Sequence, residues 1–322
     1  MVRVLALFVL ILAGCGSASP ACRVGADCAS GACRADGQCE PMPGRRVDAD
    51  GADGVVADAE SPAPDVAEGT DEGPDPVAPD STPAEDAGPV LCTQDNDGVI
   101  TRAEVPLAAG LHATFKVALD TDVSTTGTLD GAKRTWDLSA MLPGDHGVLL
   151  ETQPLTGKWF AADFAGATYA AKLSDTADVL GVFEVTDTAL FMRGIVSPDD
   201  GLLATKLTYD PPVKVLVFPL KAGATWKTVA TVTGTTAGVL SYFTETYESQ
   251  VDAAGTVVTP YGSFQALRVR VTLDRLVGLL ATRVRSFLFV AECFGTVATV
   301  TSKDNEADVE FTAAAEVRRL AP

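Results

Sequence analysis

The chain has 322 residues, 47% of them hydrophobic, with 43 acidic against 24 basic side chains and a formal net charge of −19. That balance excludes a typical nucleic-acid binder, which needs clustered Lys and Arg for phosphate contacts. An aromatic content of 7% excludes a wholly unfolded chain. No apolar run reaches the roughly 20 residues that cross a bilayer as a helix.

In chain order the first element is a leader. Arg3 precedes an apolar stretch over residues 4–12, too short to span a membrane and of the length found in secretory signals. It ends in Leu12-Ala13-Gly14-Cys15, which resembles the lipobox of bacterial lipoproteins. The resemblance implies that residues 1–14 are a signal peptide, that Cys15 becomes the lipidated first residue, and that acyl chains hold the protein to a membrane. Each buried methylene adds about 0.8 kcal/mol to that attachment. With Gly16 rather than Asp following, the resemblance implies the outer membrane, at its periplasmic face or the cell surface. The envelope is an oxidising compartment.

The rest of the chain divides by composition. Residues 15–39 hold five of the seven cysteines, with Cys22, Cys28, Cys33 and Cys39 spaced C-x5-C-x4-C-x5-C. The stretch Ala26-Asp27-Cys28-Ala29-Ser30-Gly31-Ala32-Cys33 resembles small cysteine-rich modules of myxobacterial lipoproteins. Two disulfides are expected to replace the core that so short a segment lacks, with connectivity open among three pairings; the rival is a zinc site, against which stand the missing C-x2-C pair and the lack of a nearby His. Residues 40–91 carry nine of the 19 prolines and 14 acids against Arg45 and Arg46, and no aromatic residue falls between 15 and 91. Such a segment cannot bury enough apolar surface to offset chain entropy, so a disordered acidic stalk is expected. Its 52 residues reach about 40 Å as a flexible coil and ~160 Å when extended. The last two cysteines, Cys92 and Cys293, pair by parity, closing a loop of about 200 residues.

Residues 92–322 form the head, and here the apolar period is two. Leu267, Val269, Val271 and Leu273 alternate with Arg268, Arg270, Thr272 and Asp274; Ala307, Val309, Phe311, Ala313, Ala315 and Val317 alternate with Asp308, Glu310, Thr312, Ala314 and Glu316. Further strands are expected over 226–233, 239–248 and 282–291, and a hairpin pairs 179–185 with 189–196. Turns are expected at Asp130-Gly131, Pro143-Gly144-Asp145, Pro198-Asp199-Asp200-Gly201, Asp210-Pro211-Pro212 and Ala222-Gly223. The expected fold is mostly β: a dozen or more antiparallel strands in a sandwich or a strongly curved open barrel. The segment Val257-Val258-Thr259-Pro260-Tyr261-Gly262-Ser263-Phe264-Gln265-Ala266-Leu267-Arg268-Val269, with Phe218-Pro219-Leu220-Lys221-Ala222-Gly223-Ala224-Thr225-Trp226 before it, resembles stretches of uncharacterised periplasmic β-sheet proteins. That resemblance implies a curved antiparallel sheet and brings no catalytic residues with it.

Two constellations carry candidate chemistry. Residues 93–104 resemble the calcium loops of EF-hand and dockerin-like proteins: Thr93, Asp95 and Asp97 at ligand positions, Gly98 at the turn, the Val99 carbonyl, Thr101, and Glu104 where calcium takes a bidentate carboxylate. The loop departs from the pattern at Thr93, where an Asp is usual, and no helix precedes it. The rival reading is a solvated turn and a capped short helix. Arg268, Arg270, Arg283 and Arg285 alternate on neighbouring strands and are expected to share one sheet face, either as a ladder of ion pairs with Glu306, Asp308 or Glu310, or as a site for an anion or lipid headgroup. His112 and His146 are the only histidines, and no nucleophile elbow, zinc-protease motif or phosphate loop is present. The expectation is therefore a non-enzymatic envelope protein, lipid-anchored, whose head binds a protein or glycan partner, with calcium as the candidate cofactor. The alternative is a carrier of lipid or another hydrophobic ligand in a curved-sheet cavity.

Overall fold

The computed structural model describes residues 92–322. The lipidation site Cys15, the four-cysteine module and the stalk lie outside the described residues. Among the described residues the strands are, in chain order, β1 (Val99–Ile100), β2 (His112–Asp122), β3 (Thr128–Asp130), β4 (Lys133–Asp137), β5 (His146–Gln153), β6 (Tyr169–Lys172), β7 (Leu180–Val185), β8 (Ala189–Val196), β9 (Lys206–Val217), β10 (Leu220–Lys221), β11 (Thr225–Thr236), β12 (Val239–Val258), β13 (Ser263–Val277), β14 (Leu280–Ala291), β15 (Gly295–Ser302) and β16 (Ala313–Leu320). Among these described residues, helix is confined to two short 3-10 turns, Arg102–Glu104 and Ala161–Phe164.

The head is mostly β, and its sheet closes on itself. Strand order runs β11-β9-β8-β7-β6-β5-β2-β16-β15-β14-β13-β12, and β12 pairs back onto β11, giving a ring of 12 antiparallel strands. This corrects the expected sandwich or open barrel. Alternation fixes which face of each strand is buried but says nothing of which strand meets the last free edge. Here β11 closes the ring by bonding β12 along its whole length and β9 over Thr231–Thr235. The Asp210-Pro211-Pro212 stretch is likewise no turn. It lies inside β9, where pairing with β8 shifts between Met192 and Gly194, because proline has no N–H for the ladder. The alternation expected from Ala307 becomes a strand only at Ala313. Residues 303–312 instead cross the outside of the wall, where the Thr125 hydroxyl donates to the Phe311 carbonyl and accepts from its N–H.

Register sorts the side chains onto two faces. Leu267 and Val269 of β13 lie opposite Val290 and Leu288 of β14, on the face that carries Val251 of β12. These residues pack with Tyr169, Phe183, Met192, Leu207, Tyr209 and Val232 as one core filling the lumen. On the outer face, Phe287, Phe289, Val300 and Val317 are covered by Trp136, Leu138 and Phe311. The cover exists because β12, 20 residues long, outlasts β11, and its Thr256–Val258 bonds the parallel β4. Trp136 thereby stands edge-on to Phe289 at 5.0 Å. Gly255 has to be small there, since a Cβ would strike the Arg134 carbonyl and approach the Trp136 ring.

One end of the barrel is plugged. Ile100 and Leu220, paired between β1 and β10, are buried in the lumen core with Val105. Cys92 and Cys293 are joined by a disulfide with 5.5 Å between Cα atoms, tying this segment to the β14–β15 turn. In the chain-entropy model a crosslink over 201 residues stabilises by about 5 kcal/mol.

Between wall and cover sits Arg268, 3% exposed. It donates to both carboxylate oxygens of Asp252 (2.9 and 3.0 Å), to both of Glu310 (2.7 and 3.2 Å), and to the Thr125 carbonyl at 2.7 Å. Its guanidinium lies 4.2 Å from the Phe287 ring centroid. Removing such a cation strands two carboxylates, so Arg268→Ala is expected to cost about 3–5 kcal/mol in urea unfolding. A loss below about 1 kcal/mol would show that the cover is held by its apolar contacts alone.

Candidate functional site

At the plugged end, residues 93–104 fold as a loop against the β14–β15 turn. Gly98 takes φ +85, allowing the chain to double back into β1. The Asp97 N–H donates to the Asp95 carboxylate at 3.1 Å, and Asp97 in turn accepts from the Val99 N–H at 2.7 Å. Glu104 closes a capping box by accepting from both the N–H and the hydroxyl of Thr101, at 2.7 and 2.8 Å. Glu292, 6% exposed, reaches up from the wall and accepts the N–H groups of Asp95 and Asn96 at 2.9 and 3.0 Å, while its carbonyl accepts from the Gln94 amide.

Carboxylate oxygens of Asp95, Glu104 and Glu292 all lie within 4.8 Å of one another. Of the six residues singled out in the loop, the structure brings together Asp95 and Glu104. Asp97 is engaged in its own turn, Thr101 bonds Glu104, Val99 is in the β1 ladder, and Thr93 is exposed. The following helix is a single 3-10 turn, so the loop is not a helix–loop–helix calcium hand. Glu292 was not foreseen. The signal for it was its place beside Cys293, since a bond from Cys92 brings the preceding residue against the loop. Three carboxylates are a hard-oxygen donor set of the kind that suits Ca²⁺. An open recess of about 270 Å³ adjoins them, lined by Asn96, Gly98, Gln265 and Glu292 among others.

The four arginines share the outer face, as register requires: Thr272 lies opposite Arg285, and Asp274 opposite Arg283. Arg268 belongs to the buried ion cluster beneath the cover. Arg283 is bidentate on Asp274 at 2.6 and 2.8 Å. Arg285 donates to the Glu306 and Ala307 carbonyls at 3.2 and 3.1 Å, and Arg270 to the Gln250 side chain at 2.6 Å. Arg270, Arg283 and Arg285 line an open groove of about 700 Å³ with Lys227 and Thr272. Two of the four charges are thus met by carboxylates and two by neutral oxygens.

A third polar group lies inside the lumen. Glu245 is fully buried, bonded to Arg275 Nε at 2.6 Å and to the Tyr247 hydroxyl at 2.6 Å. Burial pushes the Tyr247 and Tyr209 hydroxyls upward, with Glu245 adding to the effect. Glu245 and Tyr247 fall two apart within the strand expected over 239–248 and so share a face, but a lone Glu in a strand gives no sign of its cation. The paired carboxylate ties the neighbouring strands β12 and β13 together on their lumen face. On the rim, His146 bonds the Gly144 carbonyl at 3.0 Å and Asp175 at 2.7 Å. The Gly144 bond and then Asp175 raise its pKa.

No protein-family model matches the chain, and no curated protein matches it. Among solved structures, the chain is similar to one described as a lipoprotein from Parabacteroides distasonis, at 8% identity and a TM-score of 0.31, over 67% of this chain and 95% of that one. Similarity at that level assigns neither fold nor function.

Proposed function

We propose that the chain is a cell-envelope lipoprotein whose barrel head works by binding, without catalysis, and is displayed on an extended stalk. The anchor part of the reading rests on the apolar run over residues 4–12 and the Leu12-Ala13-Gly14-Cys15 sequence. The observation that carries the binding part is the filled barrel. Lumen positions pack on one another as a single core, and Ile100, Val105 and Leu220 occupy one end. A carrier would need an empty apolar cavity with polar groups at its mouth. The buried carboxylate Glu245 is held by Arg275, which supports a structural role over general-base work. An alkyne fatty-acid label is expected to mark the full-length protein in cells and to disappear in Cys15→Ser, with the protein released from the membrane fraction. Label retained in the variant, or never incorporated, would contradict the anchor.

A second reading is favoured by the acid cluster. Glu292 supplies the carboxylate that Thr93 does not, so Asp95, Glu104 and Glu292 would hold Ca²⁺ across the plug. A bound cation would offset the repulsion of three carboxylates and stiffen the closure. Millimolar Ca²⁺ is then expected to raise the thermal midpoint of the native protein and to leave Glu292→Gln unchanged. Equal shifts in both would refute the site.

A further inference from the structure

The rim opposite the plug carries a recurring sequence that packing does not explain. The β8–β9 loop contains Gly201-Leu202-Leu203-Ala204-Thr205, and the β13–β14 turn contains Gly278-Leu279-Leu280-Ala281-Thr282, the same five residues. The β11–β12 turn between them contains the related Gly238-Val239-Leu240-Ser241-Tyr242. Strand order makes these three tips neighbours. The Ala237 N–H donates to the Thr205 hydroxyl at 3.1 Å, which holds the first tip against the second. Leu279 is 100% exposed, Leu202 93% and Leu240 87%, and Leu203, Tyr242 and Leu280 are exposed beside them. Single exposed leucines are common, but three adjacent tips that each present an aliphatic pair form an apolar patch that marks a contact surface.

We infer that this crown docks on a lipid bilayer, with the leucines entering the boundary between headgroups and acyl chains. Three features favour a bilayer over a protein surface. The tips are hairpin ends at the rim, the first packed against the second and the third with open space at Gly278, so a fluid partner can fill around them. Residues 236–242 and 277–282 carry no charge in a chain of net charge −19, and in the first tip Asp199 and Asp200 precede the leucines without interrupting them. Tyr242 adds an aromatic ring with a polar tip of the kind enriched at that boundary.

The geometry also sets the lipid preference. The adjoining rim segments are acidic: Asp304, Glu306 and Asp308 follow β15, and Asp175 and Asp178 lie between β6 and β7. A strongly anionic surface would repel them, so neutral lipid is favoured. The chain enters the head at the plug, and β14 spans the barrel between plug and rim, a distance of roughly 35 Å. The crown therefore faces away from the point where the stalk joins the head.

The inference deepens the binding reading but does not need the lipid anchor, and the test keeps the two apart. The full chain without its leader and with Cys15→Ser, which has no acyl group, is mixed with phosphatidylcholine vesicles and floated on a density gradient. The protein is expected to float with neutral vesicles and less with phosphatidylglycerol vesicles. The triple variant Leu240→Ser, Leu279→Ser, Leu280→Ser is expected to lose about a hundredfold or more in partitioning. Its thermal midpoint should match the parent, because these side chains are already in water. Failure of the parent to float, or equal flotation of the variant, would overturn the inference. So would a concentration-dependent dimer of the parent in sedimentation equilibrium, without flotation and absent in the variant, since the crown would then bind a second copy.

Discussion

The pairing of β11 with both β9 and β12 is what the rest of the head depends on. An open sheet of this length would leave two rows of unpaired N–H and C=O groups, and those edges would seek other chains. Closing the ring satisfies them internally and fixes an inside and an outside. Every later feature inherits that division: the lumen core, the outer arginines, the plugged end and the exposed rim.

A ring of 12 strands is wide, and wide barrels tend to leave space that small side chains cannot fill. This one fills it with large lumen residues such as Tyr169, Phe183, Met192 and Tyr209, with the Glu245–Arg275 pair, and with the N-terminal segment folded into one end. The outside is equally unusual for a barrel, because the β3–β4 hairpin and residues 303–312 lay a second apolar layer over the wall. Arg268 joins that layer to the wall by bonding Asp252 in β12, Glu310 in the cover and the Thr125 carbonyl. The two ends of the barrel differ in kind. One is tied down by a disulfide beside three carboxylates, and the other presents exposed leucine tips.

Much of this was legible locally. The period of two located β13, β14 and the β7–β8 hairpin, because alternation records burial of one face of a strand. Parity of the cysteines pointed to the Cys92–Cys293 bond. Closure was not legible, since it depends on β9 and β11 meeting across a sheet whose curvature no single strand encodes. The Asp-Pro-Pro stretch read as a turn because proline breaks ladders, yet a barrel strand can absorb it as a bulge. At the candidate site, Asp95 and Glu104 were visible as a loop pattern, whereas Glu292 enters from nearly 200 residues away and is signalled only by its place beside Cys293. The leucine tips have no local signature, because only strand order shows that two copies of Gly-Leu-Leu-Ala-Thr flank the β11–β12 tip on one rim.

The central claim, a closed ring, has its thinnest seam at β5–β6, where two residue pairs join Thr152 and Gln153 to Ala171 and Ala170. Amide hydrogen exchange, resolved by residue, tests it most directly. A closed barrel predicts that amides bonded across β5–β6 and β9–β11 exchange only on the global unfolding scale of β12–β13. Exchange across either seam at the rate of unpaired chain, with β12–β13 still protected, would mean that the sheet stands open and that the account built on closure fails.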